Sequence, residues 1–393
     1  MRPETASPGM PFWLLLLVTF CATLGVHLFV PALATVSHEF GAPVHQLQAA
    51  VTMYVLGLAT GQLVYGPLSD AFGRRPALLV GLALFLGASL VCMTATSAPV
   101  LVAARFFQAF GACAGMILSR AIVKDVYHGD ETMRRLAMLA LILTATPGVA
   151  PLVGGTLTST LGWRAIFGFM ALLAAAGLAL TAWLLPETRQ ASQAVPREVL
   201  REYLSLLRTP AFLFAVIGAG CSTASIYAFV AGAPFMFSQR FGTTPLMMGF
   251  WMFVMTLGMP LGNLVVVRLS RRLGSVRSAT LASGLNLTCA ALLYLQTAWL
   301  TPTLAGVVAT MFVYSFGTGM SSPAALSTAL SINPKVPGSA SGVYGCGQMA
   351  IGALCVAALA LGHDQGVMAS AVLLAASAVG QLAFRATGRL SRQ

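Results

Sequence analysis

The sequence predicts an all-α integral membrane protein in which twelve membrane-crossing helices form two six-helix halves. Three observations carry this. Only 8% of the 393 residues are charged and 58% are hydrophobic, whereas an ordinary soluble domain is about 25% charged. Apolar runs of about 20 residues, the length a helix needs to cross the hydrocarbon core, recur along the whole chain. The charges fall into the short gaps between those runs. The net charge of +12 therefore forms no basic face for nucleic acid, and the expected partner is the lipid bilayer.

The elements follow in order. The first span is placed at 12–35. Its apolar run is too long for a signal-peptide core, and no small-x-small cleavage site precedes the next span, so it is expected to be retained. Spans two and three, at 47–66 and 77–96, flank the stretch "GPLSDAFGRRP". There Gly66 and Pro67 are expected to end one helix, and Gly73 to permit a tight turn. Asp70 is placed to cap a helix start or pair with an arginine. Span four, at 99–120, carries Arg105 and Gln108 in an otherwise apolar run, with Arg120 at its end and Asp125 just beyond. Span five, at 135–159, contains Pro147, Gly148, Pro151, Gly154 and Gly155. The prolines remove backbone donors and the glycines allow close approach, so a bent, tightly packed helix is expected. Span six is placed at 164–185.

A polar gap at 186–209 separates the halves 1–185 and 210–393. Within it "VPREVLREYLSLL" has amphipathic spacing, which predicts a short surface helix. Spans seven to twelve are placed at 210–233, 246–267, 278–297, 302–325, 338–361 and 366–387; the seventh and eleventh are rich in Gly and Ser. "LSDAFG" (Leu68–Gly73) matches "LSRRLG" (Leu269–Gly274), each following the second span of its half. Two repeated six-span halves are a transporter architecture.

Basic residues set the orientation. With the N-terminus cytoplasmic, Arg74, Arg75, Lys124, Arg134, Arg135, the stretches Arg189 to Arg208 and Arg268 to Arg277, Lys335, and Arg385 to Arg392 all face the cytoplasm. Only Arg164 and Arg240 remain opposite. This asymmetry predicts that both termini are cytoplasmic.

Three motifs carry a resemblance. The stretch Gly66, Leu68, Asp70, Gly73, Arg74, Arg75 resembles motif A of the major facilitator superfamily, with Ala71 where a basic residue is usual. "ARFFQAFGA", with Arg105 and Gln108, resembles motif B, and "TPGVAPLVGG" resembles the antiporter motif C, with Ala150 in place of a glycine. Together with "SRAIVKDVY" and "LGWRAIFGF" these look like the bicyclomycin/chloramphenicol-resistance branch of the twelve-span drug:proton antiporters. The likeness is dense over roughly 28–187 and rests mainly on topology afterwards. It implies a bacterial inner-membrane protein whose halves rock about a central site. Gly66, Asp70, Gly73, Arg74 and Arg75, with Arg120 and Asp125, would form a latch at the cytoplasmic rim. Span five would belong to the export machinery.

The ten acidic residues are Glu4, Glu39, Asp70, Asp125, Asp130, Glu131, Glu187, Glu198, Glu202 and Asp364. All fall in loops or at a membrane face. The resembled family usually carries a carboxylate in span one, where this chain reads "HLFVP", with His27 in its place. His27 and Arg105 both lie roughly 10 Å below the outer surface at 1.5 Å per residue, so both are expected to face one cavity. A buried arginine needs water or a partner, and a histidine can carry a proton near neutral pH. Tyr54 and Gln108 are the preferred further lining residues. A cavity without a buried carboxylate suits neutral or anionic solutes.

The seven cysteines sit in apolar runs without CxxC spacing, so neither a disulfide nor a metal site is expected. No HExxH, GxxxxGK[ST] or GxSxG motif occurs, which speaks against an enzyme and against ATP as the driving force. The expected activity is proton-coupled export of small, mainly neutral amphipathic molecules of the chloramphenicol or bicyclomycin kind. It would be driven by the proton gradient without a cofactor, by a protein expected to be monomeric. Two alternatives stand beside it: a dedicated exporter of a cell-made metabolite such as a siderophore, and an importer or facilitator of an organic anion.

Overall fold

A computed structural model describes residues 11–188, 196–332 and 337–390. Met1–Met10, including Glu4, lie outside the described residues, as do Arg189, Lys335 and Arg392. Among the described residues every regular element is helical. Twelve helices are long and apolar enough to cross a membrane: Phe12–Phe40, Val44–Phe72, Arg74–Met93, Ala98–Val126, Gly129–Leu161, Arg164–Leu184, Pro210–Phe241, Pro245–Leu273, Ser275–Ala298, Leu304–Ile332, Gly338–Leu361 and Gln365–Leu390. They are spans one to twelve below.

Most helices outrun the apolar windows that revealed them, because a helix continues through the polar interface where water and side chains satisfy its ends. The largest such change concerns span two. The expectation that Gly66 and Pro67 end this helix is corrected: it runs on to Phe72 with Pro67 inside. Proline leaves the carbonyl four residues earlier without its helical donor. That carbonyl belongs to Leu63, and it accepts a 3.1 Å hydrogen bond from the Tyr203 hydroxyl. The helix ends instead at Gly73, whose φ of +96° suits glycine. The repeat partner Gly274 has φ +82° between spans eight and nine. The short sequence match thus marks one turn geometry used twice.

Tyr203 belongs to a linker helix, Pro196–Leu207. Its Leu206 is fully buried while Leu200, Leu204 and Leu207 stay exposed. Beside Tyr203, the Glu202 carboxylate accepts a hydrogen bond from Ser339 in the first turn of span eleven. The linker therefore touches spans two and eleven at the same face.

Span two packs along span eleven and span five along span eight, the main contacts between the first six spans and the last six. One continuous apolar core crosses that boundary, with Leu28 and Val30 of span one beside Phe229, Met248 and Met252 of spans seven and eight. Span one is interrupted by a 3-10 turn at Val30–Ala32, where Pro31 falls. Span seven is interrupted by a π-helical turn, Gly220–Ala224.

Candidate functional site

Arg105 is completely buried within the first six spans. One terminal nitrogen donates to the Gly25 carbonyl of span one at 2.8 Å, and the other to Gln108 Oε1 at 2.7 Å. The Gln108 amide donates on to Ser89 Oγ at 2.8 Å, and that hydroxyl donates to the Phe85 carbonyl at 2.7 Å. The guanidinium carbon lies 4.0 Å from the Tyr54 ring centroid and 5.2 Å from that of Phe29, so two aromatic faces stabilise the cation. Nε has no hydrogen-bond partner. Gly25 is required here, because a Cβ on it would overlap the Tyr54 hydroxyl. The ensemble joins spans one, two, three and four around one charge that no carboxylate of the described residues neutralises.

His27, two residues beyond Gly25, is 9% exposed. Its ring stacks on Tyr227 of span seven, with centroids 6.1 Å apart and planes 30° from parallel. This contact crosses between the two sets of six spans. His27 Nδ1 is buried without a hydrogen-bond partner. Tyr227 packs against Gly352 of span eleven, and near it the Gln348 amide donates to Thr223 Oγ1 within the π-helical turn. Of the four residues expected to line one cavity, Arg105, Gln108 and Tyr54 come together in one closed cluster. His27 makes no hydrogen bond to them among the described residues and stacks instead on Tyr227, at the boundary between the halves. Tyr227 and Gln348 are the partners that could not be assigned from their positions in sequence, since any polar residue in an apolar run looks alike there.

The motif A residues form a second cluster. Arg74, 5% exposed, makes ion pairs with Asp70 at 2.7 Å and Asp125 at 2.8 Å. It also donates to Ser69 Oγ, which donates to the Gly66 carbonyl. Glu187, just past span six, accepts from the backbone N–H groups of Arg74 and Arg75 at 2.8 and 3.1 Å. It thereby caps span three from a distance, where no side chain of the preceding turn does so. Any Cβ on Gly73 would press on this carboxylate. Arg75 donates to the Ala182 carbonyl. These contacts tie spans two, three, four and six. Arg120 makes no ion pair with this cluster among the described residues. The capping role of Glu187 carries no signal in the sequence, because its partner helix lies over a hundred residues away.

Span five is continuous through Pro147 and Pro151. Its glycines mark backbone contacts: a Cβ on Gly154 would strike the Leu28 carbonyl of span one, and one on Gly155 the Pro245 carbonyl of span eight. Gly249 of span eight meets the Pro151 carbonyl in the same way. At Gly148 the nearest atom is Thr256 Oγ1 at 3.3 Å, a looser fit.

Across the molecule from the motif A cluster, each of the two arginines has an acidic partner. Arg164 pairs with Glu39 at 2.6 Å, and Trp163 Nε1 donates to the same carboxylate. Arg240 pairs with Asp364. Burial pushes the Asp364 carboxyl up, but the Val367 backbone N–H and the Arg240 guanidinium outweigh it and hold it below its ordinary value. The neighbouring Gln365 accepts from Gln48 of span two, joining the two halves. All seven cysteines are free, and the described residues contain no cluster suited to a metal ion.

The model of the Major Facilitator Superfamily matches residues 15–357. The chain is 28% identical to an uncharacterised transporter of this type from Bacillus subtilis, over 95% of this chain and 94% of that protein. It is 30% identical to a chloramphenicol resistance protein of Pseudomonas aeruginosa, over 83% and 77%. With a bicyclomycin resistance protein homolog of Haemophilus influenzae it shares 27% identity, over 84% and 83%. Among solved structures, a peptide transporter in complex with sulfate superposes with a TM-score of 0.80 at 14% identity, covering 97% of this chain and 95% of that one.

Proposed function

Because the chain belongs to the Major Facilitator Superfamily, as a multi-pass transporter of the bicyclomycin/chloramphenicol-resistance branch, we propose that it exports small, mainly neutral amphipathic compounds from a bacterial cytoplasm in exchange for protons. The face carrying the motif A cluster is taken as cytoplasmic, following its excess of arginine. The protein would work as a monomer in the inner membrane, driven by the proton gradient without a cofactor.

One observation carries the substrate class. Arg105 is the fully buried charge in the interior of the first six spans, and unlike Arg74 it has no carboxylate partner among the described residues. A lipophilic cation would meet uncompensated positive potential there. Arg105 is completely buried between Gly25, Gln108 and two aromatic faces, so it gives the interior a positive potential without presenting an open fork to an anion, which favours a neutral solute. His27 supports the coupling. It sits on the surface along which the halves move against each other, with an unused ring nitrogen, so alternation would change its access to water and protons. The motif A cluster is proposed to lock the rim in one state, with the linker helix carrying that state to span eleven.

The test is a growth and accumulation panel in a bacterial host lacking its main efflux pumps. Neutral, anionic and cationic toxic compounds and metal-chelating siderophores are compared. We expect protection against neutral compounds, and loss of its pH dependence in His27→Ala at equal membrane abundance. Protection confined to siderophores would make the protein a dedicated metabolite exporter. Anion uptake in place of protection would reverse the direction. Unchanged pH dependence in His27→Ala would remove the histidine from coupling.

A further inference from the structure

Beyond residue 208 the chain carries nine basic residues, Arg240, Arg268, Arg271, Arg272, Arg277, Lys335, Arg385, Arg389 and Arg392, and a single acid, Asp364. Arg240 takes that acid on the opposite face. The basic residues at the motif A face of the last six spans therefore have no acid of their own half to pair with.

Three of them converge on one cleft. A cavity of about 390 Å³ opens between spans nine and twelve, lined by Val276, Arg277, Thr280, Phe384, Arg385 and Arg389 among others. The helical repeat produces this grouping. Arg385 and Arg389 are four residues apart and share a face of span twelve, while Val276 and Thr280 share a face of span nine. Phe384 is fully buried and forms the floor. Leu281, also on the lining and within span nine, is 55% exposed. Like charges at this spacing repel, and Arg277 sits in the first turn of span nine, where the helix dipole disfavours a cation. No ion pair or hydrogen bond to a side chain relieves any of the three among the described residues. The site is thus a positive rim over an apolar wall, at the level of the membrane surface.

We propose that this cleft binds an acidic glycerophospholipid. Its phosphate sits among the Arg277, Arg385 and Arg389 guanidiniums, whose planar forks match phosphate oxygens, and an acyl chain runs along Val276 and Leu281. A free phosphate shares the headgroup chemistry but leaves the apolar wall uncovered. The lipid satisfies both, as basic pockets between helices at the cytoplasmic side do in general. The inference does not depend on what the protein transports.

The full-length protein, delipidated in a neutral maltoside detergent, is titrated with phosphatidylglycerol, phosphatidylcholine or inorganic phosphate. Retained lipid is counted by native mass spectrometry and thermal unfolding is followed in parallel. We expect one tightly held phosphatidylglycerol, a raised Tm with that lipid alone, and weakening with salt. Each neutralised arginine should weaken binding roughly fivefold, so R385Q loses about that much and the triple variant R277Q/R385Q/R389Q about a hundredfold. R268Q, on the same face but outside the cleft, should bind as wild type. R385Q alone decides the matter if the triple variant does not insert. Equal retention by R385Q and wild type, or equal binding of phosphatidylcholine, would overturn the proposal. So would inorganic phosphate matching the lipid's effect, since the site would then hold a free anion.

Discussion

At the scale of the residue, Arg105 shows how a charge is kept in an apolar interior. Hydration is replaced by a carbonyl, an amide oxygen and two aromatic faces, drawn from spans one, two and four. Removing the guanidinium strands Gly25 and Gln108 as well as emptying its volume. Hydrogen bonds to charged groups contribute about 1.5–3 kcal/mol each, so losing both in Arg105→Ala should destabilise the protein by roughly 3–6 kcal/mol. Lysine keeps the charge but not the fork that reaches both partners, so Arg105→Lys should recover only part. Thermal unfolding in detergent micelles checks both; an unshifted Arg105→Ala would show that the side chain holds nothing together. Any loss of export in these variants has meaning only per folded molecule. The presence of a buried arginine was legible from its place in an apolar run. Its partners were not, because the Gly25 carbonyl belongs to a different span and carries no sequence signal.

At the scale of the element, span five separates two kinds of glycine that sequence treats alike. Gly154 and Gly148 both belong to the stretch that resembles the antiporter motif. A methyl on Gly154 would overlap backbone of span one, which cannot rotate away, whereas at Gly148 it would meet side-chain atoms, the Thr256 hydroxyl at 3.3 Å and the Phe253 ring at 3.8 Å. Overpacking a close contact costs about 1–3 kcal/mol. Gly154→Ala should therefore lower Tm and export, and Gly148→Ala should leave both near wild type. Equal effects at the two positions would show that backbone contact is not what the motif provides. The linker helix teaches a related lesson. Its amphipathic spacing announced a surface helix, and the helix is there. What the spacing could not announce is that Tyr203 occupies the Leu63 carbonyl left open by Pro67. In lipid or at its edge such a group must find a donor, so the proline that seemed to end span two instead creates a docking point for the linker.

At the scale of the whole molecule, the two faces differ in how their charge is balanced. Opposite the motif A cluster, Arg164 and Arg240 are each held by a carboxylate, and Gln48 meets Gln365 across the halves beside Asp364. The lowered proton affinity of Asp364 has a definite sign. An aspartate bound more weakly to protons when folded contributes stability that is complete above its unfolded value, about 4. That contribution disappears only as the pH falls through the still lower folded value. The stability gap between wild type and Asp364→Asn should therefore be constant from neutral pH to about pH 5 and close in stronger acid. Unfolding midpoints measured across that range test this; a gap that already closes near pH 6 would assign the effect to another group. On the motif A face the first six spans pair Arg74 with Asp70 and Asp125. The last six spans offer no acid there, and lipid is left to supply the balancing charge.

The membrane class, the twelve spans, the turn repeated at Gly73 and Gly274, and the family were all readable from the amino-acid order, through motifs that are local in the chain. Each of these rests on interactions whose range is a few residues: hydropathy over one helix length, a positive φ at one glycine, a charge beside its own turn. The tertiary structure alone decided that Arg105 closes on Gln108 and Tyr54 while His27 turns to Tyr227, that Glu187 caps span three, and that three distant arginines share a cleft. Those outcomes depend on which helix faces which and at what rotation. Packing of backbone and side chains from spans far apart in sequence sets that rotation, and no periodicity within a single span encodes it.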